Sequence, residues 1–546
     1  MKSNNNYEFQ LIDLNWERIF LKFQIQTEFC GEAKFILARV LDHKVDEKKI
    51  IDLVPEQYEN GIYSFTLNMA AADGRSFLGN GQWCFIAIVQ DEFSVVTISS
   101  ALAYQLDSKM RIFPYGKRKY AYNVYFTLNS GSDERIELLL NSYFMQTNSE
   151  WMLKRPVHDA ENLKQKCKGM FTIAATKGVC LFYSVLEKCY RKDGKSILFM
   201  SETKEYLWGN LKYIEARMKE RGLDQQYRLN YSFRKVLGKK HGITSWLKTL
   251  INIAKSDVIF IDDYAPIFGY LNLSKRTRLV QVWHAGEGFK SVGYSRFGKE
   301  GSPHPGESAH KSYDYVTVGS KKLIHVYEEV FGIERSAFLP TGMARLDDFL
   351  DQNKITQFKK DFYKEYPKLQ GKKVILFAPT FRGTGQEEAY YDYDMLDLKQ
   401  IYDFCGDEYV FLAKVHPFVT EKIQIPKEYQ ERIFDFAEYP NINDLYYVTD
   451  VLITDYSSNY YEYALLKKPV LFYTYDREKY ELLRGVHRSV KEHAPGKICD
   501  SFEELMKALY EKDYEYEKIE KFVEDNFGEY DGQACDRIID QLILNK

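Results

Sequence analysis

From about residue 165 onward, short apolar runs alternate with amphipathic stretches, and this alternation constrains the fold more than any other feature of the chain. Strands that alternate with helices form parallel sheets, because each crossover helix returns the chain to the same edge. The pattern predicts two doubly wound, Rossmann-type α/β units in series, at 165–340 and 341–546, with a ligand cleft between them. The predicted strands are 196–200, 257–261, 279–283, 315–319, 373–378, 409–415, 451–454 and 470–473.

The first 150 residues show a different pattern. Short runs of alternating apolar and polar residues, such as 18–25 and 83–89, are separated by clusters of Gly, Asn and Asp. Several short strands at such spacing predict a β-rich, sandwich-like domain at 1–150. Because this region carries no catalytic constellation, we expect an accessory role in scaffolding or acceptor docking.

Bulk properties narrow the function classes. The 546 residues carry a net charge of −3, so the chain as a whole is not expected to bind nucleic acid. Its eight cysteines include no CxxC pair, which predicts neither a zinc knuckle nor a redox motif, and scattered thiols favour a reducing cytosol. The N-terminus lacks the apolar core of a signal peptide. The sequence has no run of 18 or more apolar residues, so no membrane-spanning helix is predicted.

The carboxyl ends of four predicted strands carry polar side chains. Ligands of doubly wound sheets bind at these ends, so side chains there are expected to meet around a common site. One strand belongs to the first unit, 279–283, and three belong to the second unit, 373–378, 409–415 and 451–454. The candidate residues at these ends are His284, Thr380, Arg382, Lys414, His416, Asp455, Ser457 and Ser458.

These residue types together suit a diphosphate. An arginine such as Arg382 binds phosphate oxygens bidentately. Ser457 and Ser458 fall where a helix is predicted to begin, and a helix start offers N–H donors to a phosphate. With an ordinary pKa of about 6.5, one of His284 and His416 can donate a proton while the other acts as a base. Each residue alone also fits a structural role, so the convergence of four strand ends predicts the site.

Motifs for other chemistries are missing from the sequence. It contains no GxGxxG, GxxxxGK[ST] or HExxH pattern. The acidic string 392–394 follows a Gly- and Glu-rich loop, and we interpret it as a solvated loop. The sequence therefore predicts neither a metal site nor a cofactor.

At these strand ends the chain resembles the CDP-glycerol glycerophosphotransferase family, the teichoic-acid polymerases and primases of Gram-positive bacteria. The similarity covers roughly residues 165–545 and consists of ordered blocks. The blocks are Trp283-His284 with Lys290, the turn from Gly342 to Asp347, Ala378-Pro379-Thr380-Phe381-Arg382, Lys414-Val415-His416-Pro417, and Thr454 to Ser458 followed by Lys468-Pro469.

The resemblance implies a GT-B-like fold, with the acceptor site on the first Rossmann-like unit and the CDP-donor site on the second. The implied reaction transfers glycerol phosphate or ribitol phosphate from a CDP-alditol to a hydroxyl of a lipid-linked or polymeric acceptor, with release of CMP and without an essential metal. By resemblance His284 is the general base, Arg382 and His416 hold the diphosphate, His416 protonates the leaving group, and Ser457 and Ser458 bind phosphate.

The first block departs from the family pattern. This chain has Trp-His-Ala-Gly-Glu-Gly-Phe-Lys, which is one residue longer and lacks the family's Thr-Pro. Glu287 near the base would orient it or raise its basicity, and would repel an anionic acceptor, while Lys290 lies near the family's lysine. The choice between glycerol and ribitol, and between a primase and a polymerase, therefore stays open. The following loop, 291–310, is rich in Gly, Ser, Pro and His and is predicted to be a mobile flap.

A basic segment, 228–255, predicts contact with an anionic membrane surface. It holds seven Lys or Arg and no Asp or Glu, with apolar side chains interspersed. A solvated helix face, or a basic wall that receives polymer phosphates, explains the same pattern. We expect a cytoplasmic protein that is peripheral on the inner face of the cell membrane.

Two other functions fit the architecture. A GT-B glycosyltransferase that uses a nucleotide sugar needs an acidic pair for ribose and sugar in the second unit, and the sequence does not identify one. A non-catalytic polymer-binding scaffold needs none of the strand-end residues, so the presence of both histidines, Arg382 and both serines disfavours it.

Overall fold

The described part of the chain forms three sheets: a mixed sheet of 13 strands in the N-terminal region and two parallel sheets of six strands each. The computed structural model describes residues 2–3, 7–41, 44–116, 118–130, 136–145, 162–235, 241–283, 291–299, 302–306, 308–383, 387–484, 488–528 and 530–545.

The N-terminal unit is β-rich, as the sequence predicts, and its strands alternate between buried and exposed side chains. In the strand Ile62–Asn68, for example, Tyr63, Phe65 and Leu67 are buried and their neighbours are half-exposed. The sandwich-like arrangement stays a prediction. The strands β1 to β13 are Lys2–Ser3, Phe9–Glu17, Phe20–Thr27, Lys34–Leu41, Lys44–Leu53, Gln57–Glu59, Ile62–Asn68, Gly81–Val89, Glu92–Val95, Thr97–Ile98, Arg111–Tyr115, Tyr120–Ser130 and Ile136–Met145, with short helices at Ser100–Ala103 and Leu106–Lys109.

The first parallel sheet has the spatial order β15-β14-β16-β17-β18-β19. Its central strands are buried on both faces because helices cover them, which is why they consist of continuous apolar runs. The strands β14 to β19 are Ser196–Ser201, Arg228–Phe233, Val258–Ile261, Arg278–Gln281, Tyr315–Thr317 and Phe338–Leu339. The α-helices are Leu163–Cys189, Gly209–Glu220, Ile243–Lys255 and Ile324–Phe331.

The second parallel sheet has the spatial order β22-β21-β20-β23-β24-β25. The chain leaves β20 in one direction and returns to β23 on its other side, so the carboxyl ends of β20 and β23 form the crevice where such sheets bind ligands. The strands β20 to β25 are Lys373–Phe377, Tyr409–Ala413, Ile433–Asp435, Val451–Thr454, Val470–Tyr473 and Lys497–Cys499. The α-helices are Gln352–Glu365, Leu398–Cys405, Ile442–Leu445, Tyr460–Ala464, Arg477–Arg484, Val490–His493, Phe502–Glu511, Tyr516–Phe527 and Ala534–Leu542.

The last helix, Ala534–Leu542, packs against the first parallel sheet although the range 341–546 assigns it to the second unit. Ile538 and Ile539 lie in one buried cluster with residues of β14. Asp536 forms ion pairs with Arg217 and Arg221 at 2.8 Å. The chain thus crosses back to its first unit at its last helix. For the residues before that helix, the division into two units at 341 stays a proposal.

The loop 291–310 differs from the predicted mobile flap. Tyr294 and Phe297 are buried in the core of the N-terminal unit. Nearby, Arg75 of that unit pairs with Glu334 of the first parallel unit at 2.7 Å. The described part of the loop therefore joins two units, which the Gly- and Pro-rich composition did not reveal.

The helix Leu163–Cys189 also departs from the sequence prediction. By length and composition it could cross a membrane, and only 11% of its most apolar window is buried. The sequence shows no uninterrupted apolar run at this helix because Lys177 and several small polar residues divide it. Its side chain Tyr183 is buried and anchors the helix to the first unit.

We predict that Ile538→Ala destabilises the first parallel unit by about 2–5 kcal/mol, because it leaves a cavity beside β14. Hydrogen exchange should speed up in Ser196–Ser201 and Gly209–Glu220. The matched control is Ile519→Ala, since Ile519 is equally buried but packs in the second unit. Faster exchange confined to the second sheet in the Ile538 variant would contradict the packing.

Candidate functional site

A buried carboxylate, Asp455, joins the two strand ends at the crevice of the second sheet. It follows β23 and is 1% exposed. Its Oδ1 accepts hydrogen bonds from the backbone N–H of Thr380, at 2.7 Å, and of Ser457, at 3.2 Å. Its Oδ2 accepts from Nη1 of Arg382 at 2.8 Å. The carboxylate therefore fixes the loop after β20 against the loop after β23.

Arg382 is held by a second carboxylate as well. Its Nε and Nη2 donate to the two oxygens of Asp476 at 2.7 and 2.9 Å, and its Nη1 also donates to the carbonyl of Thr380 at 3.0 Å. Burial alone lowers the pKa of Arg382, but the neighbouring carboxylates Asp455 and Asp476 more than offset this and raise the pKa. The guanidinium is thus a permanent charge that is already neutralised inside the protein.

Four tyrosine rings surround this guanidinium, at 5.2 to 5.6 Å from its central carbon. The rings of Tyr456 and Tyr480 stack at 3.8 Å, and the hydroxyl of Tyr456 donates to Asp476 at 3.1 Å. These contacts hold the rings in place around the guanidinium. Arg382 is therefore engaged with protein groups, and direct binding of the diphosphate by this residue stays a prediction. The four rings belong to Tyr391, Tyr456, Tyr475 and Tyr480.

Sequence reasoning missed Asp476. It lies three residues beyond β24, at the same edge of the sheet as the other candidate residues. The sequence does carry a signal for it, because Asp476 lies just beyond the carboxyl end of the predicted strand 470–473.

His416 lies beside the loop that follows β20. Its ring stands 4.8 Å from the ring of Phe381 and 4.6 Å from that of Phe418. Nδ1 accepts a hydrogen bond from the backbone N–H of Phe418 at 3.1 Å. A neutral imidazole in this setting carries its proton on Nε2, so His416 presents an N–H donor from the edge of the ring opposite its backbone contact.

Lys414 is buried and serves the fold. Its Nζ donates to the carbonyl of Ala437, which lies in the loop after β22. Burial lowers the pKa of this lysine. The role of Lys414 as a substrate ligand stays a prediction from the motif.

Ser457 and Ser458 precede the helix rather than cap it. The helix Tyr460–Ala464 begins two residues after Ser458, and Asn459 at its cap position makes no side-chain cap. Instead, Nδ2 of Asn459 donates to the carbonyl of Ala378 at 3.1 Å, which adds a further link between β20 and β23. Ser457 is buried and Ser458 is exposed. Of the two serines, Ser458 therefore offers its hydroxyl to the crevice.

On the first unit, three candidates, His284, Glu287 and Lys290, lie outside the described residues. The residue before them, Trp283, is described and has a left-handed backbone with φ of 42°. Such a conformation is costly for a bulky residue and is typical of functional sites. The backbone N–H of Trp283 donates to Gln281 at 2.8 Å, and its carbonyl accepts from Asn210.

Asn210 connects this strand end to the second unit. Its side-chain oxygen accepts from the backbone N–H of Arg345 at 2.9 Å. The guanidinium of Arg345 forms a buried ion pair with Glu462, in the helix that follows the two serines. The sequence identified Arg345 as part of a motif but gave no sign of either partner, since both contacts join residues far apart in the chain.

The described part of the chain contains no group of three or more His, Cys, Asp or Glu side chains placed to hold a metal ion.

Comparison with known proteins agrees with this geometry. A family model described as CDP-Glycerol:Poly(glycerophosphate) glycerophosphotransferase matches residues 181–544. The chain belongs to this family. Among solved structures, the chain is similar to the wall teichoic acid polymerase TagF, with 24% identity and a TM-score of 0.54, over 69% of this chain and 95% of that one. The likeness supports a GT-B-like α/β fold.

Curated relatives are more similar in sequence. The chain is 38% identical over 364 residues to a teichoic acid poly(ribitol-phosphate) polymerase of Bacillus spizizenii, covering 66% of this chain and 58% of the relative. It is 37% identical to the ribitol-phosphate polymerase TarL of Staphylococcus aureus, covering 64% and 63%. The glycerol-phosphate primase of Bacillus subtilis is 32% identical, covering 54% and 75%. The chain thus spans about three fifths of the length of the first two relatives.

We predict that Asp476→Asn destabilises the second unit by about 3–5 kcal/mol, because it leaves the buried guanidinium of Arg382 with one carboxylate instead of two. The measurement is urea unfolding of the purified protein. The matched control is Asp500→Asn, which removes the more exposed pair with Arg477 and should cost about 0–1 kcal/mol. Equal losses in the two variants would refute the structural role of Asp476.

Proposed function

We propose that this chain transfers alditol phosphate from a CDP-alditol to a hydroxyl of a polymeric or lipid-linked acceptor and releases CMP. The observation that carries the proposal is the meeting of three family motifs at one crevice. Asp455 binds Thr380 and Arg382, and the ring of Phe381, between those two residues, contacts His416. Such a crevice at the carboxyl ends of parallel strands is the usual ligand site of this architecture.

The donor would bind to the second unit. His416 presents its Nε2–H to the diphosphate and donates a hydrogen bond to the CMP oxygen, which leaves with the electron pair of the broken bond to phosphorus. The hydroxyl of Ser458 and the backbone around Ser457 donate to phosphate oxygens. Asp455 and Arg382 act as positioning residues, which hold these donors in place without touching the substrate.

The acceptor would bind to the first unit. His284 follows the strained Trp283, and in the proposed mechanism its imidazole takes the proton of the attacking hydroxyl. The acceptor oxygen forms a bond to the β-phosphorus while the bond from that phosphorus to the CMP oxygen breaks. Charge builds on the phosphate oxygens, so positioning and electrostatic stabilisation supply most of the rate enhancement. Glu287 orients the base, and Lys290 attracts the acceptor phosphate.

The degree of similarity favours CDP-ribitol as the donor and chain extension as the reaction. The two relatives named as ribitol-phosphate polymerases are 38% and 37% identical to this chain, whereas the glycerol-phosphate primase is 32% identical. The β-rich unit, 1–150, is proposed to be a sandwich-like accessory unit that supports the acceptor side, since it packs against the loop 291–310.

Membrane association is proposed to use the helix Leu163–Cys189 rather than the basic segment alone. In that segment Arg234 is buried against Glu202, so its charge is not available to lipid, and Arg228 forms a surface ion pair with Asp193.

The helix itself has the properties of a lipid-facing surface. Phe171 and Leu181 are 75% and 69% exposed, and Ile243 and Trp246 of the neighbouring helix are exposed as well. The surfaces of soluble monomeric proteins rarely expose so many large apolar side chains together. Five lysines against one glutamate along the helix complement anionic lipid. We propose a cytoplasmic enzyme that is peripheral on the membrane through this surface.

The proposed reaction is tested by CMP release from CDP-ribitol and, separately, CDP-glycerol, with a short alditol-phosphate acceptor and with or without EDTA. We expect faster release from CDP-ribitol that survives EDTA. His284→Ala and His416→Ala should each lower turnover by about 100-fold, the usual size of a general acid–base contribution, while the surface control His241→Ala should not. Release from a nucleotide sugar instead would identify a glycosyltransferase, and no release from any donor would support a scaffold.

The proposed membrane surface is tested by flotation with vesicles of anionic and of neutral lipid. Phe171→Ser with Leu181→Ser should weaken binding to anionic vesicles at least about tenfold, because each side chain gains about 1.5–3 kcal/mol on burial in lipid. The control replaces Leu482 and Tyr510, two exposed apolar residues of the second unit, by serine. Equal flotation of the double variant and the wild type would exclude this surface.

A further inference from the structure

A cavity of about 500 Å³ lies between the first and second parallel units, and basic side chains from both units line it. The first unit contributes Lys321, Lys322 and His325, and the second contributes Arg488, Lys491 and His493. None of these residues belongs to the motifs that predict the donor and base sites, so the cavity needs an explanation of its own.

The cavity lies on the same edge of both sheets as the proposed reaction site. Lys321 follows the carboxyl end of β18, and β18 pairs with β17, whose end leads to Trp283. Arg488 lies between the helices Arg477–Arg484 and Val490–His493, on the crossover from β24 to β25. In the first unit the cavity is thus displaced outward by one strand from the strand that leads to Trp283.

Contacts between the units connect the cavity wall to the site. The helix Tyr516–Phe527 forms part of the wall, and the carbonyl of Asn526 accepts a hydrogen bond from Tyr461 at 3.4 Å. Tyr461 lies in the helix that follows the two serines. On the opposite side, the hydroxyl of Ser320 donates to the carbonyl of Asp525 at 2.6 Å. These contacts fix one wall of the cavity against both units, beside the helix that follows the serines.

Positive charge exceeds negative charge in this cavity. Its carboxylates are Asp525, which pairs with Lys322 and Lys521, and Glu492, which lies 3.8 Å from His493. Within the described part of the chain, no carboxylate lies within 4.0 Å of the amine of Lys321 or Lys491.

Two half-buried groups of the cavity show the same excess. Burial and the charge of Arg488 lower the pKa of His493 to about 4. Burial and the charge of Arg18 lower the pKa of Arg488 itself to about 10. An anion that binds here relieves this repulsion, so the geometry and the charges favour an anionic ligand.

The volume indicates more than one phosphate. A water molecule occupies about 30 Å³ in the liquid, so the cavity has room for an extended ligand with several anionic groups. Lysine amines bind phosphate oxygens as point charges and tolerate variation in the groups between the phosphates. A flexible polyol phosphate has this chemistry, with one negative charge for each repeat.

We propose that this cavity is an acceptor subsite, which holds phosphodiester groups of the growing polymer behind the reacting hydroxyl. The inference rests on the proposed function, because it assumes that the acceptor is a chain of alditol phosphates. It adds that the enzyme recognises the polymer beyond its reacting end, through Lys321 and Lys491.

The first experiment measures binding without turnover. Fluorescence anisotropy with a labelled glycerol-phosphate oligomer is compared between the wild type and Lys321→Gln with Lys491→Gln. We expect the double variant to bind about tenfold more weakly and the wild-type affinity to fall with added salt. The control is Lys364→Gln with Lys368→Gln, which makes the same change in charge at exposed positions outside the cavity. Equal affinity of both double variants would overturn the subsite.

The second experiment separates the acceptor from the donor. Steady-state CMP release is measured with varied oligomer and with varied CDP-alditol. The KM for the oligomer should rise about tenfold in the Lys321 and Lys491 variant. A rise confined to the KM for the CDP-alditol would assign the cavity to the donor diphosphate and overturn the proposal. If the wild type releases no CMP, the proposed function fails, and the binding experiment alone decides whether the cavity holds phosphodiesters.

Discussion

The buried carboxylate Asp455 is the interaction on which the rest of the second unit depends. It sits where the strand order reverses, and it binds the loop after β20, the loop after β23 and the guanidinium of Arg382. Burying a carboxylate, a guanidinium and backbone N–H groups is costly unless they form hydrogen bonds with one another, and here they do. Asp476 completes the arrangement. The donors that are proposed to bind the diphosphate are thus held by an ionic core that the substrate does not need to touch.

A small number of specific contacts also joins the two parallel units at the proposed site. Asn210 holds the strained end of β17 and the backbone of Arg345, and Arg345 pairs with Glu462 beside the serine loop. At Gly319 the units approach so closely that a Cβ atom would stand 2.7 Å from the carbonyl of Asn526. The last helix adds ion pairs and buried apolar surface. These contacts restrict how far one unit can move relative to the other.

Patterns along the chain predicted the parallel strands well where a buried run was long. The predicted strands 451–454 and 470–473 have the bounds that the structure gives, and the residues after β20, β21 and β23 do lie at one edge. The short strands β19, β22 and β25 were missed, since two or three residues carry no periodicity. The strand β15 was hidden in the segment that its positive charge identified as a membrane surface.

Side-chain partners were the part of the site that the sequence could not supply. Arg382 is bonded to Asp476, which lies 94 positions away, and a motif shows a residue but not what neutralises it. The helix after Ser458 begins later than capping rules suggest, because Asn459 turns its side chain toward Ala378 instead of the helix. Tertiary contacts outweighed local preference at both positions.

Hydrogen exchange of the protein with and without CDP tests most directly whether the crevice of the second sheet is the donor site. Protection is expected in the segments 378–382, 414–418 and 455–459, which carry Thr380, His416 and Ser458 and converge at the ends of β20, β21 and β23. Protection that is absent from these segments and confined to the N-terminal unit or to the basic cavity would contradict the assignment of the donor site.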